Sequence, residues 1–395
     1  MPKHTCFLIH GMGGHGEGWS KRAVTALGKA AAHHNIIDSA EKIDAAVEFV
    51  EIRYNEIFDG IVKNWNTLAS SLSDMPGAIQ PEVSKVTTWL TENTKDDAGF
   101  ATTHALDVSM YLLFKIISRM VQLEVASQMM VKLAAHAEDA NHRSVVIAHS
   151  LGTAVAHDAI HRLANTEWLS NPGKIEAIAT RAQQLGTDLT GDEITAQKAV
   201  FNSAFGPGQS CFDSIFMFAN VSPVLHQVGV SPAKSYCAPR FADPNKPERF
   251  QAERFYNIGH VIDPVHIIGD FRAEKSWPLA AANDAAYDIS VKHFWDNDIH
   301  TLDHYFINPR VYREILPTIM NVGNAFKFYK AAGSRLEGEN RDFPEIGPNY
   351  QDDPEAVATI KSNLNDLGIT LSAGSQKKYK KLIGYYNWAK QYYNS

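Results

Sequence analysis

The chain is poor in cysteine: Cys6, Cys211 and Cys237 are three in 395 residues, odd in number and far apart. That pattern argues against a disulfide framework as the source of stability. Neither Cys-x-x-Cys nor His-Glu-x-x-His occurs, so the familiar zinc-ligand spacings are missing. Excess positive charge is missing too. The 37 Lys and Arg against 44 Asp and Glu give a net charge of −7, which disfavours nucleic acid as a partner. The basic cluster Gln376-Lys377-Lys378-Tyr379-Lys380-Lys381 reads as a solvated helix face. There is no internal repeat and no low-complexity tract. The long helical pattern at 108–125 is interrupted by Lys115, Arg119 and Glu124, too often for an integral membrane span. Met1-Pro2-Lys3-His4 leads straight into an apolar strand without a charged-then-apolar leader. A cytoplasmic location is therefore the expectation, with signal-independent secretion left open. What the chain does have is 45% hydrophobic residues, ample for the core of one large elaborated domain.

The most informative segment is Ala148-His149-Ser150-Leu151-Gly152. It follows the apolar run Ser144-Val145-Val146-Ile147 and precedes the helical stretch Thr153-Ala154-Val155-Ala156-His157-Asp158-Ala159-Ile160. The pattern is strand, sharp turn, helix, with a serine at the apex. Such a turn strains the serine backbone and lifts its hydroxyl above the sheet edge. Ala148 and Gly152 are small enough for strand and helix to approach closely. A second strand, Thr5-Cys6-Phe7-Leu8-Ile9, runs into His10-Gly11-Met12-Gly13-Gly14 and then a helix over 18–33. Glycines after a strand can cradle a phosphate. The spacing here is not G-x-G-x-x-G, however, and no P-loop Lys-Ser/Thr follows.

Together, His10-Gly11-Met12-Gly13 and the Ser150 pentapeptide resemble the α/β-hydrolase family, on its lipase and esterase side. Ala148 replaces the usual first Gly of G-x-S-x-G. The resemblance covers roughly residues 3–320, is specific at the two loops and is only topological elsewhere. It implies an α/β fold with a mostly parallel sheet flanked by helices, a Ser–acid–His triad in that chain order, and hydrolysis of an ester or related acyl bond through an acyl-enzyme. It implies no metal or organic cofactor, and a small-molecule ester or lipid as substrate. In such enzymes backbone N–H groups of the glycine loop and of the residue after the nucleophile bind the developing oxyanion, which assigns Met12 and Leu151. A thioesterase or amidase would use the same triad. A non-catalytic binding protein on the same fold is the alternative from another class.

The acid is expected just past a later strand, on the same rim as Ser150. The β-prone run 254–262 ends in Asp263-Pro264-Val265, making Asp263 the candidate and Asp270 its competitor. The base must follow the acid. Of 17 histidines, His266, His293, His300 and His304 qualify by position. The family often shows a His, then an aromatic, then an Asn-Pro pair opening a helix. The segment His300-Thr301-Leu302-Asp303-His304-Tyr305-Phe306-Ile307-Asn308-Pro309 fits with His300 as base, or with His304 in a tighter reading.

Residues 47–54 alternate as a strand, and the strand before Ser150 starts only near Arg143. The chain between, about 56–140, is expected as a helical insertion. Its 108–125 pattern reads as an amphipathic core helix, a cap over the site, or a membrane-surface helix. A second insertion, about 171–212, carries expected helices at 174–184 and 193–201, before a strand at 214–220. A helix from Pro309 to about 328 should close the main domain, 1–328. The remainder, 329–395, reads as a helical extension with an aromatic end packed on the body.

Overall fold

A parallel sheet buried on both faces demands strands apolar at nearly every position, and Cys6, Phe7, Leu8 and Ile9 are all at 0% exposure. They belong to β1 (His4–Ile9), an inner strand of the sheet. The computed structural model describes residues 3–11, 15–63, 115–139, 141–164, 171–184, 187, 189–204, 210–222, 250–260, 263, 286–291, 300–320, 322 and 325–338. Within them lie β2 (Val47–Ile52), β3 (Ser144–His149), β4 (Ser210–Phe218), β5 (Phe250–His260) and β6 (Ala286–Val291). All five neighbouring pairs are parallel, in the order β2-β1-β3-β4-β5-β6. The architecture is α/β.

The order reverses once. From β1 the chain steps outward to β2, then returns past β1 to β3. Crossovers keep one hand, so reversing direction moves the connecting helices to the opposite face. The packing shows that switch. Helix α1 (Lys21–His33), between β1 and β2, buries Ala23, Leu27 and Ala31 with Cys6, Leu8, Val145 and Ile147. A 3₁₀ turn and a short α2 (Ile43–Ala46) complete that crossover. Helices α3 (Asn55–Lys63), α4 (Lys115–Ala135) and α5 (Leu151–Ala164) join Phe7, Ile9, Val146 and Ala148 on the other face. Helices diverging from β1 and β3 leave a crevice outside the carboxyl ends of these two strands, the usual ligand position in such sheets.

The 115–135 part of the expected insertion is core, not cap. Met120, Leu123, Val125, Ala126, Met129 and Met130 are all at 0% exposure. α4 contacts α5 and β2, and also α6 (Pro172–Gln184) and α7 (Asp192–Ala204). A helix packed from two sides is apolar nearly all round, and a β2-to-β3 crossover needs one to cover the sheet. Its bond to α5 is polar as well: buried Arg162 donates from Nε to Gln122 Oε1 at 2.7 Å, and Gln122 Nε2 donates to Asp158 Oδ2 at 3.2 Å. The helix also runs ten residues past the expected 125, to Ala135. The remainder of the first insertion, 64–114, lies outside the described residues. α6 and α7 agree closely with the two helices expected in the second insertion.

Other details differ from the sequence reading: β4 and β5 begin at Ser210 and Phe250, ahead of the expected 214 and 254. β6 was not expected; as the outer strand it alternates half-buried Tyr287 and Ile289 with exposed Asp288 and Ser290. The closing helix is two: α9 (Pro309–Ile319) ends where Met320 becomes extended, and α10 (Ala325–Gly338) follows. α9 starts sharply because Asn308 caps it, accepting from Arg310 N–H at 2.9 Å, with Pro309 behind. A short α8 (Leu302–Phe306) precedes it. The expected boundary at 328 falls inside α10, and 339–395, with the aromatic end, lies outside the described residues. No helix among the described residues is long and apolar enough to cross a membrane.

Candidate active site

Ser150 stands alone between β3 and α5, with φ of 54°. The left-handed region costs a non-glycine residue roughly 1–2 kcal/mol, so something must hold it there. Both of its peptide groups are pinned. Its N–H donates to the Phe218 carbonyl at 2.9 Å, extending the β3–β4 ladder by one rung. Its carbonyl accepts from Thr153 N–H at 2.9 Å and Thr153 Oγ1 at 2.6 Å. Thr153 Oγ1 in turn accepts from Val221 N–H at 3.0 Å, tying the turn to the end of β4.

Two glycines make room for it. A Cβ at Gly152 would lie 2.1 Å from the His10 carbonyl oxygen and 2.7 Å from that of Ile9. A Cβ at Gly11 would lie 2.7 Å from Ser150 Cβ. The loop after β1 and the turn after β3 therefore touch at the switch point. Tyr54 clamps that loop by donating from its hydroxyl to the His10 carbonyl at 2.7 Å, and its ring stacks on His10 at 4.2 Å. His10 is fully buried and donates from Nδ1 to the Gly11 carbonyl at 2.7 Å. Burial, then the neighbouring His15, drives its pKa down to about 3. Leu151, one expected oxyanion donor, opens α5, whose first-turn N–H groups lack helical acceptors. Met12, the other, lies outside the described residues.

No family model, curated protein or solved structure matches this chain. The chemistry has to be read from the geometry.

β5 ends at His260, and Asp263 N–H turns back onto the His260 carbonyl at 3.0 Å. The Asp263 carboxylate is at 0% exposure, and its Oδ2 accepts from His300 Nδ1 at 2.8 Å. The structure thus brings His300, not His304, to Asp263. His304 lies in α8, buried edge-on to His260 with ring centroids 5.6 Å apart. Asp270, His266 and His293 lie outside the described residues.

His149 connects this pair to the serine turn. Its ring lies 4.7 Å from that of His300, and its Nε2 donates to the His300 carbonyl. Burial, then the neighbouring His300, lowers its pKa to about 3, so it stays neutral. The residue next to Ser150 therefore holds the backbone of the histidine that Asp263 orients. Ser150 Oγ is buried and makes no hydrogen bond among the described residues.

Sequence reasoning missed two contributors, Tyr54 and the phenol of Tyr305, and named His10 in the glycine loop without a role of its own. The Tyr305 hydroxyl also donates to Asp263 Oδ2, at 2.8 Å. A signal for Tyr305 was present in the His-x-Leu-x-x-Tyr spacing. For Tyr54 there was none, because its contact with the His10 carbonyl spans two strands.

Proposed function

We propose that this protein is a serine hydrolase of the α/β-hydrolase type that cleaves carboxylic esters through an acyl-enzyme. The observation that carries the reading is the strained Ser150 at the switch point of a parallel sheet, next in sequence to His149, whose ring lies 4.7 Å from that of the carboxylate-bound His300. Strain of this kind persists where the surroundings over-determine it, and it clusters at functional sites.

In this reading His300 Nε2 takes the proton of Ser150 Oγ as the oxygen attacks the ester carbonyl. Asp263 keeps the proton on Nδ1, which leaves Nε2 as the base, and stabilises the imidazolium that forms. The carbonyl oxygen becomes an oxyanion, met by the Leu151 N–H at the start of α5 and by the Met12 N–H of the glycine loop. The imidazolium then protonates the departing alkoxide. Water, deprotonated by the same nitrogen, releases the acid and restores Ser150. Resting triads often sit slack and tighten only around substrate, in keeping with the unbonded Ser150 Oγ.

A thioester or amide would pass through the same steps. A fluorophosphonate probe separates catalysis from mere binding, because only an activated serine is phosphonylated. The expected result is labelling of the wild type at Ser150, none in Ser150→Ala, and a loss in p-nitrophenyl ester turnover on the order of 10⁴ to 10⁶. Near-normal turnover by a folded Ser150→Ala protein, or His304→Ala losing activity while His300→Ala keeps it, would refute the assignment.

A further inference from the structure

We propose that Tyr305 is a positioning residue for the Asp263–His300 pair, acting through a hydrogen bond to the same carboxylate oxygen that holds the imidazole. The proposal rests on the reading of His300 as the base.

The direction of that bond is unambiguous. The Tyr305 hydroxyl lies 3.1 Å from the His260 backbone nitrogen and 2.8 Å from Asp263 Oδ2. The backbone N–H can only donate, so the hydroxyl oxygen accepts there. Its single proton is left for the carboxylate. Burial, then the nearby Asp263 charge, raises the phenol's pKa well above its ordinary value, so that proton stays in place.

The anchor is rigid on both sides. His260 is the last residue of β5, paired with Val291 of β6. Tyr305 is at 0% exposure, with its ring edge-on to Phe218 at 5.4 Å. The terminal torsion of an aspartate is broad and has no sharp preference of its own. Two donors converging on Oδ2, one from a ring bolted to β5 and one from His300 itself, select a single setting. His300 and Tyr305 also lie on one short stretch of chain through α8. The phenol therefore sets the carboxylate relative to the element that carries the base.

A merely structural tyrosine would contribute stability and nothing to the rate. Tyr305→Phe keeps the ring and removes the bond. Loss of one hydrogen bond to a charged group should lower kcat by about tenfold to a hundredfold, with KM within about twofold and fluorophosphonate labelling slowed in parallel. In an Asp263→Ala background the same substitution should cost almost nothing, since the hydroxyl acts through the carboxylate. Wild-type kcat in Tyr305→Phe, or an equal loss with and without Asp263, overturns the proposal while leaving the serine hydrolase reading intact. A wild type that fails to label at all overturns both. The geometry can also be read without any substitution. The His300 Nδ1 proton and the Tyr305 hydroxyl proton share one acceptor, so the wild type should show a cross-relaxation peak between two downfield proton resonances. If Tyr305→Phe does not fold, absence of that peak overturns the proposal on its own.

Discussion

Removing the Ser150 hydroxyl should stabilise the fold while abolishing activity. Ser150 is 1% exposed, and its Oγ has no hydrogen-bond partner among the described residues. An unsatisfied buried hydroxyl costs about 1–3 kcal/mol, and Ser150→Ala returns that amount. The backbone strain is a separate contribution. With φ at 54°, alanine keeps the left-handed penalty and glycine does not. Glycine loses roughly 0.4–1 kcal/mol of this gain through the greater freedom of its unfolded chain. Against a penalty of about 1–2 kcal/mol, Ser150→Gly should be more stable than Ser150→Ala, by up to about 1.6 kcal/mol. That order is the reverse of the usual one for these two residues. Urea unfolding followed by far-ultraviolet circular dichroism at pH 7 measures all three proteins. An alanine variant less stable than wild type would mean that the hydroxyl makes a stabilising bond. A glycine variant less stable than the alanine one would mean that the turn is not strained.

Two further outcomes follow from burial. Leu123 is at 0% exposure between the sheet and the outer helices, so Leu123→Ala should cost about 2–5 kcal/mol. Activity on acetate and on medium-chain esters should fall together, and a selective loss on the longer ester at unchanged Tm would refute its core placement. His10 has a folded pKa of about 3 against an ordinary 6.5, so between these values the unfolded state binds the extra proton. Its contribution is complete above about pH 6.5 and falls with pH toward 3, at up to about 1.4 kcal/mol per unit. His10→Phe should flatten the fall of stability from pH 6 to pH 4 by roughly one proton, and an unchanged slope would refute the burial argument.

Much of the site was legible because its signals are local. β1 and β3 are apolar runs that can only be buried strands, and each leads into small residues that permit a close approach. Asp263 follows a β-prone run at the distance a rim residue requires. β6 was illegible because an outer strand buries only part of its surface, and Ala286–Val291 carries a correspondingly weak pattern. For α4 the sequence offered the core role beside a cap and a membrane-surface helix, and only its neighbours in the fold distinguish them.

The sequence by itself determined the turn at Ser150 and, to within about four residues, the strands β1 to β5, because strand burial and turn chemistry act over a few neighbouring residues; the parallel class was what the resemblance of the two loops implied. Tertiary structure alone decided which histidine meets Asp263. His300 and His304 are four residues apart, and the sequence reading takes His300 as base with His304 as the alternative. The selection comes from where β5 ends and from how α8 lies across it. It comes too from the His149 bond to the His300 carbonyl and from Tyr305 beside the carboxylate. Those contacts join residues between 42 and 151 positions apart, a separation at which no local pattern carries information.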